Sequence, residues 1–216
     1  MLDYLYFFFE IIAFAVAVFQ LPKLKHSSYV YFIPYLLFIL IYEFGSIYNW
    51  FFIHKSNLWI SNLTLVIFFL FYSSFLCALI HTPYFKRWIK RIVSLSIFLS
   101  LVNLAFIQGF WNLNSITILL QFAVLIALTC LYFYELMNST QKLSISKLPG
   151  FWVNTGLLFF CLAEFLFYSA FAYMAYKNNY NYYLLFEVIS NIANVILYTC
   201  LTISFLCFNN SNYDYK

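Results

Sequence analysis

Seven apolar runs of about twenty residues or more, parted by short polar gaps, leave few folds open to this chain. They span Leu2–Leu21, Tyr29–Tyr48, Trp59–Ile80, Ile92–Phe110, Ile116–Leu136, Phe151–Tyr176 and Tyr182–Cys207. At about 1.5 Å per helical residue, each run is long enough to cross a hydrocarbon core roughly 30 Å thick. Only 8% of the residues are charged, against about 25% in a soluble domain. The chain therefore has too little polar surface to face water on all sides. In lipid only helices and closed barrels satisfy the backbone, and no strand-like alternation over about ten residues is present. The expectation is an all-α polytopic membrane protein, a seven-transmembrane-helix bundle forming one domain over residues 1–216. The longest gap, Met137–Gly150, has fourteen residues and is too short for a second domain. The first run lacks a basic leading region and a small-residue cleavage site, so it reads as a retained helix and not a cleaved signal.

Orientation follows from the cations. Nine of the eleven Lys and Arg fall in alternate gaps or in the C-terminal tail: Lys23 and Lys25, then Lys86, Arg87, Lys90 and Arg91, then Lys142 and Lys147, then Lys216. Lys55 and Lys177 occupy the other side. Basic loops stay cytoplasmic, which places the N-terminus outside and the C-terminus in the cytoplasm. The net charge of +4 is thus a topology signal and does not imply nucleic-acid binding. The densest cluster, Tyr84–Arg91 (YFKRWIKR), mixes aromatic rings with cations. Lys86, Arg87, Trp88, Lys90 and Arg91 read as a segment touching anionic lipid headgroups, or as a docking point for a cytoplasmic protein partner.

All five glutamates, Glu10, Glu43, Glu135, Glu164 and Glu187, fall within the runs. A carboxylate at the bilayer centre costs about 2.5–3.5 kcal/mol on insertion scales unless it faces the bundle interior. Glu10, Glu43 and Glu187 lie in the outer third, Glu164 near the middle, and Glu135 at the cytoplasmic end of its run, where it reads as an interface residue. Glu187, Ser190, Asn191 and Asn194 share one face of the seventh run. Glu164 and Tyr168 share a face of the sixth. Asn62, Asn103 and Gln121 add polar groups in the outer halves of the third, fourth and fifth. The expectation is a polar interior opening outward and walled by aromatics. These ten positions (Glu10, Glu43, Asn62, Asn103, Gln121, Glu164, Tyr168, Glu187, Asn191 and Asn194) are the candidate ligand-binding residues. Interhelical hydrogen bonding, worth about 0.6 kcal/mol per bond on average, is the structural alternative at each.

Catalytic signatures are missing. The nucleophile elbow, the zinc-protease helix motif, the phosphate-binding loop and the dinucleotide fingerprint do not occur, so the reading is non-enzymatic, with no catalytic residue and no cofactor. The seventh run contains no Lys for a retinal-type Schiff base. His26, His54 and His81 lack ligand spacing, and the five cysteines contain no C-x-x-C, so neither a metal site nor a disulfide framework is indicated.

Glu43-Phe-Gly-Ser, Asn62, Tyr134-Glu135-Leu136 and Pro149-Gly-Phe-Trp-Val-Asn-Thr-Gly156 resemble a group of uncharacterised bacterial seven-helix integral membrane proteins. The whole layout is similar to seven-transmembrane sensor modules that precede signalling domains. The resemblance implies no catalytic residues. The chain departs from the sensor pattern in its tail, Phe208–Lys216, which is too short for an output domain, so a signal would leave through a partner. Three functions follow as expectations. The first is a receptor-like or accessory protein, binding a small or lipid-like ligand in the outer half. It would couple to a partner through Tyr84–Arg91 and Asn138–Lys147. The second is a non-catalytic subunit or effector of a membrane complex. The third is an ion- or proton-coupled carrier.

Overall fold

A computed structural model describes residues 5–53, 56–138, 145–176 and 180–208. It is all-helical, with α1 (Leu5–Phe19), α2 (Leu21–Leu24), α3 (Phe32–Ile47), α4 (Leu58–Leu79), α5 (Pro83–Val102), α6 (Ser115–Asn138), α7 (Pro149–Tyr176) and α8 (Tyr180–Cys207). Six of the helical stretches are long and apolar enough to cross a membrane, and α1 is a shorter apolar helix. The protein is thus a multi-pass integral membrane protein built as a helical bundle. Lys55, Lys142, Lys177, Lys216 and His54, used in the sequence reading, lie outside the described residues, as do 139–144 in the gap before α7 and 209–216 in the tail.

The first apolar run is interrupted. Its helix ends at Phe19 and resumes at Leu21, because Pro22 has no N–H to give Val18 and its ring crowds that carbonyl. Bonds from Gln20 N to Val16 O (2.9 Å) and from Leu24 N to Gln20 O (3.1 Å) carry the helical path through the break. The fourth run is displaced in the other direction. Its helix starts at Pro83, well before Ile92, because Thr82 adopts an extended conformation and Pro83 stands in the first turn, where a missing N–H is harmless. The basic cluster therefore forms the opening turns of α5. At its far end α5 runs into a π-helical turn, Asn103–Ile107, closed by Gln108 N to Asn103 O at 3.0 Å. Gly109, at φ +83°, then takes the left-handed conformation that reverses the chain into α6.

Successive long helices run in opposite directions. At one end Tyr29, near the start of α3, meets Phe208 beyond α8 at 4.8 Å between ring centroids. At the same end Trp152 Nε1 donates to Ser146 O. Lys23, Lys25, Lys86, Arg87, Lys90, Arg91 and Lys147 all belong to this basic end, by their positions along the alternating helices. Glu43 and Glu187 belong to the opposite, acidic end.

Six helices form a ring, in the order α3, α1, α8, α7, α6, α4, with α5 packed outside against α4 and α6. The ring closes through a thin α3–α4 contact. The most extensive packing is between α7 and α8, and Gly156 is its cause. A Cβ at that position would stand 2.7 Å from Cys200 Cβ and 3.3 Å from Leu197 backbone atoms, so only glycine lets the two backbones approach. Lipid offers no hydrophobic drive between helices, so close van der Waals packing is what holds such a pair. The basic half of the ring is filled by aromatics. Phe32 is fully buried and meets Phe71, Phe75 and Phe205 edge-on at 4.8, 4.9 and 5.6 Å. Tyr35 stacks flat on Phe71 at 3.9 Å. Outward-facing apolar side chains such as Leu95, Phe98 and Leu166 remain exposed, as a lipid-facing surface requires.

Candidate functional site: a carboxylate-lined cavity inside the helix ring

Towards the acidic end the ring is not filled. It encloses a cavity of about 650 Å³ to which α1, α3, α4, α6, α7 and α8 all contribute. Three carboxyl groups reach it: Glu43 from α3, Glu164 from α7 and Glu187 from α8. Glu164 is buried, Glu43 half-buried and Glu187 exposed, so acid groups line the cavity from its interior to its outer rim. Each arrives by helical periodicity. On α3, Tyr35, Ile39, Tyr42 and Glu43 share the inward face. On α8, Glu187, Ser190, Asn191 and Asn194 do so, followed by Leu197 and Tyr198.

Glu43 is held directly. Tyr6 Oη donates to Glu43 Oε2 at 2.9 Å, tying α1 to α3. Tyr42, one residue before Glu43, pairs its hydroxyl with Ser61 Oγ on α4 at 3.0 Å. Ser190 stands beside Glu164, and Asn194 Nδ2 donates back to Ser190 O at 3.0 Å. Asn62 also borders the cavity, and its Nδ2 donates to the carbonyls of Phe110 and Asn112 at 3.0 and 2.9 Å. That amide fastens the α5–α6 turn to α4. Thr64 lines the wall while 92% buried, and its hydroxyl has no hydrogen-bond partner among the described residues.

Of the ten candidates read from the sequence, seven border this cavity: Glu43, Asn62, Glu164, Tyr168, Glu187, Asn191 and Asn194. Three do not. Glu10 lies one turn beyond Tyr6 on α1, wholly buried, with neither carboxyl oxygen hydrogen-bonded among the described residues. Tyr35, Tyr72 and Tyr198 lie within its electrostatic reach. Asn103 and Gln121 belong to a separate polar clasp between α5 and α6. Asn103 Nδ2 donates to Gln108 Oε1 and Thr117 Oγ1, both at 2.8 Å. Gln121 Nε2 donates to Ser100 Oγ at 3.2 Å. Asn103 and Gln121 thus meet their partners in the α5–α6 seam and do not border the cavity.

Glu135 is likewise more than a headgroup-facing residue. Its carboxylate accepts from His81 N, from Thr82 N at 2.8 Å and from Thr82 Oγ1 at 2.6 Å, capping the start of α5 from the end of α6. Lys86, Arg87, Trp88, Lys90 and Arg91 sit on the first turns of α5, at the end opposite the cavity. Arg91 lies over the Trp88 ring at 5.3 Å, a cation–π arrangement.

Sequence reasoning missed the tyrosines of the wall, Tyr6, Tyr35, Tyr42 and Tyr198, and it missed Thr64. The signal was available. Tyr35, Ile39 and Tyr42 precede Glu43 at helical spacing, but in a chain with 20 tyrosines that spacing alone does not single out the rings that face a cavity. Among the described residues no three His, Cys, Asp or Glu lie close enough to share a metal ion, so the acids are distributed around the cavity and do not converge on a point. No family model, no curated protein and no solved structure matches the chain, so the functional reading rests on this geometry.

Proposed function

We propose that the chain is a receptor-like integral membrane protein that binds a small or lipid-like molecule in the cavity at the acidic end. In this reading all seven apolar helices span the membrane. The N-terminus and the cavity face outward, and the basic end lies in the cytoplasm. The observation that carries it is the cavity itself. Six helices leave about 650 Å³ open, a volume within the range of about 300–1,000 Å³ typical of small-molecule sites, and they place costly acid groups on its wall. Packing alone would be served better by apolar side chains. The signal would leave at the basic end, through the opening turns of α5 and the segment between α6 and α7, to a protein partner. The layout is that of a sensor module, and the cytoplasmic membrane of a bacterium is the proposed location.

Native mass spectrometry of protein gently extracted from its own membranes tests the binding. A stoichiometric small molecule or lipid on the chain supports it, and a stoichiometric second protein with an empty cavity supports the subunit reading instead. Orientation is tested on a background without native cysteines, with Trp50→Cys at the acidic end and Met137→Cys at the basic end. Both positions are exposed. An impermeant maleimide added to intact cells should label the first and spare the second.

A proton-coupled carrier is the second reading, and Glu10 favours it. A wholly buried carboxyl without a hydrogen-bond partner among the described residues, one turn from the Tyr6–Glu43 pair, is the kind of group that marks proton relays in membranes. Flux that depends on a proton gradient and is abolished by Glu10→Gln would establish it.

A further inference from the structure

We infer that the occupant of the cavity is an organic ammonium: a molecule carrying at least one protonated or quaternary amine on an aliphatic or aromatic body. The inference rests on the ligand-binding reading above and names its chemical class. Four observations lead to it. The described residues of the wall include three carboxyl groups and no Lys, Arg or His, a lining whose charge complements a cationic guest better than an anionic one. Glu164 is 95% buried, with the Ser190 hydroxyl beside it and no cationic side chain among the described wall residues. Its carboxyl lacks a cationic partner among the described residues, and an ammonium group supplies one. Aromatic rings make up much of the remaining wall, Tyr42, Phe68, Phe122, Phe160 and Tyr198 among them. Ring faces attract cations and also accept an apolar body. Finally, the Thr64 hydroxyl, buried and unpartnered among the described residues, borders the same space. It is an acceptor for an N–H.

A bare inorganic cation does not fit these facts. The acids do not gather within reach of a single ion, and one ion would leave most of the 650 Å³ unfilled. An extended molecule, with its charge at one acid and its body along the rings, uses both the spacing and the volume. Glu187 at the exposed rim and Glu164 in the buried interior offer successive positions for the ammonium group on the way in.

The test uses the full chain in nanodiscs of uncharged lipid and three matched probes: phenethylamine, phenethyl alcohol and phenylacetate. Spermidine is added as a longer, multiply charged amine. Binding is read by calorimetry and by the thermal unfolding midpoint. An amine should bind and raise the midpoint, with the alcohol and the carboxylate weaker by about tenfold or more, as loss of a charge-assisted hydrogen bond requires. Glu164→Gln and Glu187→Gln should each weaken the amine by about tenfold and leave the alcohol unchanged. If the buried Glu164 variant fails to fold, the exposed Glu187 variant carries the comparison. Equal binding of the alcohol or the carboxylate overturns the inference, as does amine binding that survives Glu187→Gln. A neutral or anionic molecule retained in native mass spectrometry overturns the ammonium assignment and leaves the ligand cavity standing. Indifference to every probe, with nothing retained in native mass spectrometry, overturns both.

Discussion

Tyr6 and Glu43 join α1 to α3 at the acidic end of the bundle, the phenol donating to Glu43 Oε2 at 2.9 Å. The bond has two consequences. It engages one carboxyl oxygen of Glu43 at the cavity wall, which both residues line. It also anchors α1, the shortest of the apolar helices, to the ring. Tyr6→Phe removes the donor without changing the packing volume. The coupling between Tyr6→Phe and Glu43→Gln in a double-mutant cycle should be about 0.6–2 kcal/mol, measured by reversible unfolding in mixed micelles. Additive effects would show that the bond contributes nothing.

Glu135 caps α5 from a different helix. Replacing it with Ala leaves the His81 and Thr82 N–H groups without their acceptor. Stability should fall by about 1–2 kcal/mol, the range for losing a helix cap. Glu135→Gln keeps one acceptor oxygen and should lose less. Thermal unfolding of the two variants side by side checks the order.

Gly156 sets the distance between α7 and α8. A side chain there meets Cys200 Cβ and the Leu197 backbone, and backbone cannot move aside as the end of a flexible side chain can. Gly156→Val should cost about 1–3 kcal/mol, as overpacking does. Because Glu164 and Glu187 stand on these same two helices, the variant should also weaken amine binding. A melting curve and a phenethylamine titration on one preparation test both statements.

Asn103 separates the clasp from the cavity. Asn103→Leu removes the donor to Thr117 Oγ1 and one of the two donors to Gln108 Oε1 and should destabilise by about 1–3 kcal/mol, as losing a partner of buried polar groups does. Amine binding should be unchanged in the protein that remains folded. A loss of affinity as large as that of Glu187→Gln would return Asn103 to the site.

Cation binding by carboxylates competes with protons. As pH is lowered and carboxyls are protonated, amine affinity should fall while affinity for the neutral alcohol holds. Titration of both probes across a pH series reads the difference directly, and an amine affinity that rises on acidification would contradict the ammonium assignment.

Much of the site was legible in the sequence because of one asymmetry. An acid or amide inside an apolar run must point inward or be expensive, so Glu43, Glu164, Glu187, Asn62, Asn191 and Asn194 identified their own helix faces. Tyrosine carries no such constraint. It is at home in a belt, a core or a cavity wall, which is why Tyr6, Tyr35 and Tyr198 were invisible as wall residues. Asn103 and Gln121 obey the rule in a way that misled: their inward direction is toward the α5–α6 seam, because α5 stands outside the ring. Glu10 obeys it too, but it turns into the packed core beside the cavity.

Hydropathy is a property of each residue and its solvent. The number of apolar helices, their alternation and the gathering of described cations at one end were therefore determined by the sequence alone, whatever the helices pack against. Which helices become neighbours is a different kind of quantity. In lipid every helix face is nearly as comfortable against acyl chains as against protein, so neighbours are chosen by close fit, as at Gly156, and by polar bonds such as Tyr6–Glu43. Those matches exist only between residues far apart in the chain. The tertiary structure thus decided that α5 lies outside, that aromatics pack the basic half, and that an open volume remains where three acids meet the rings.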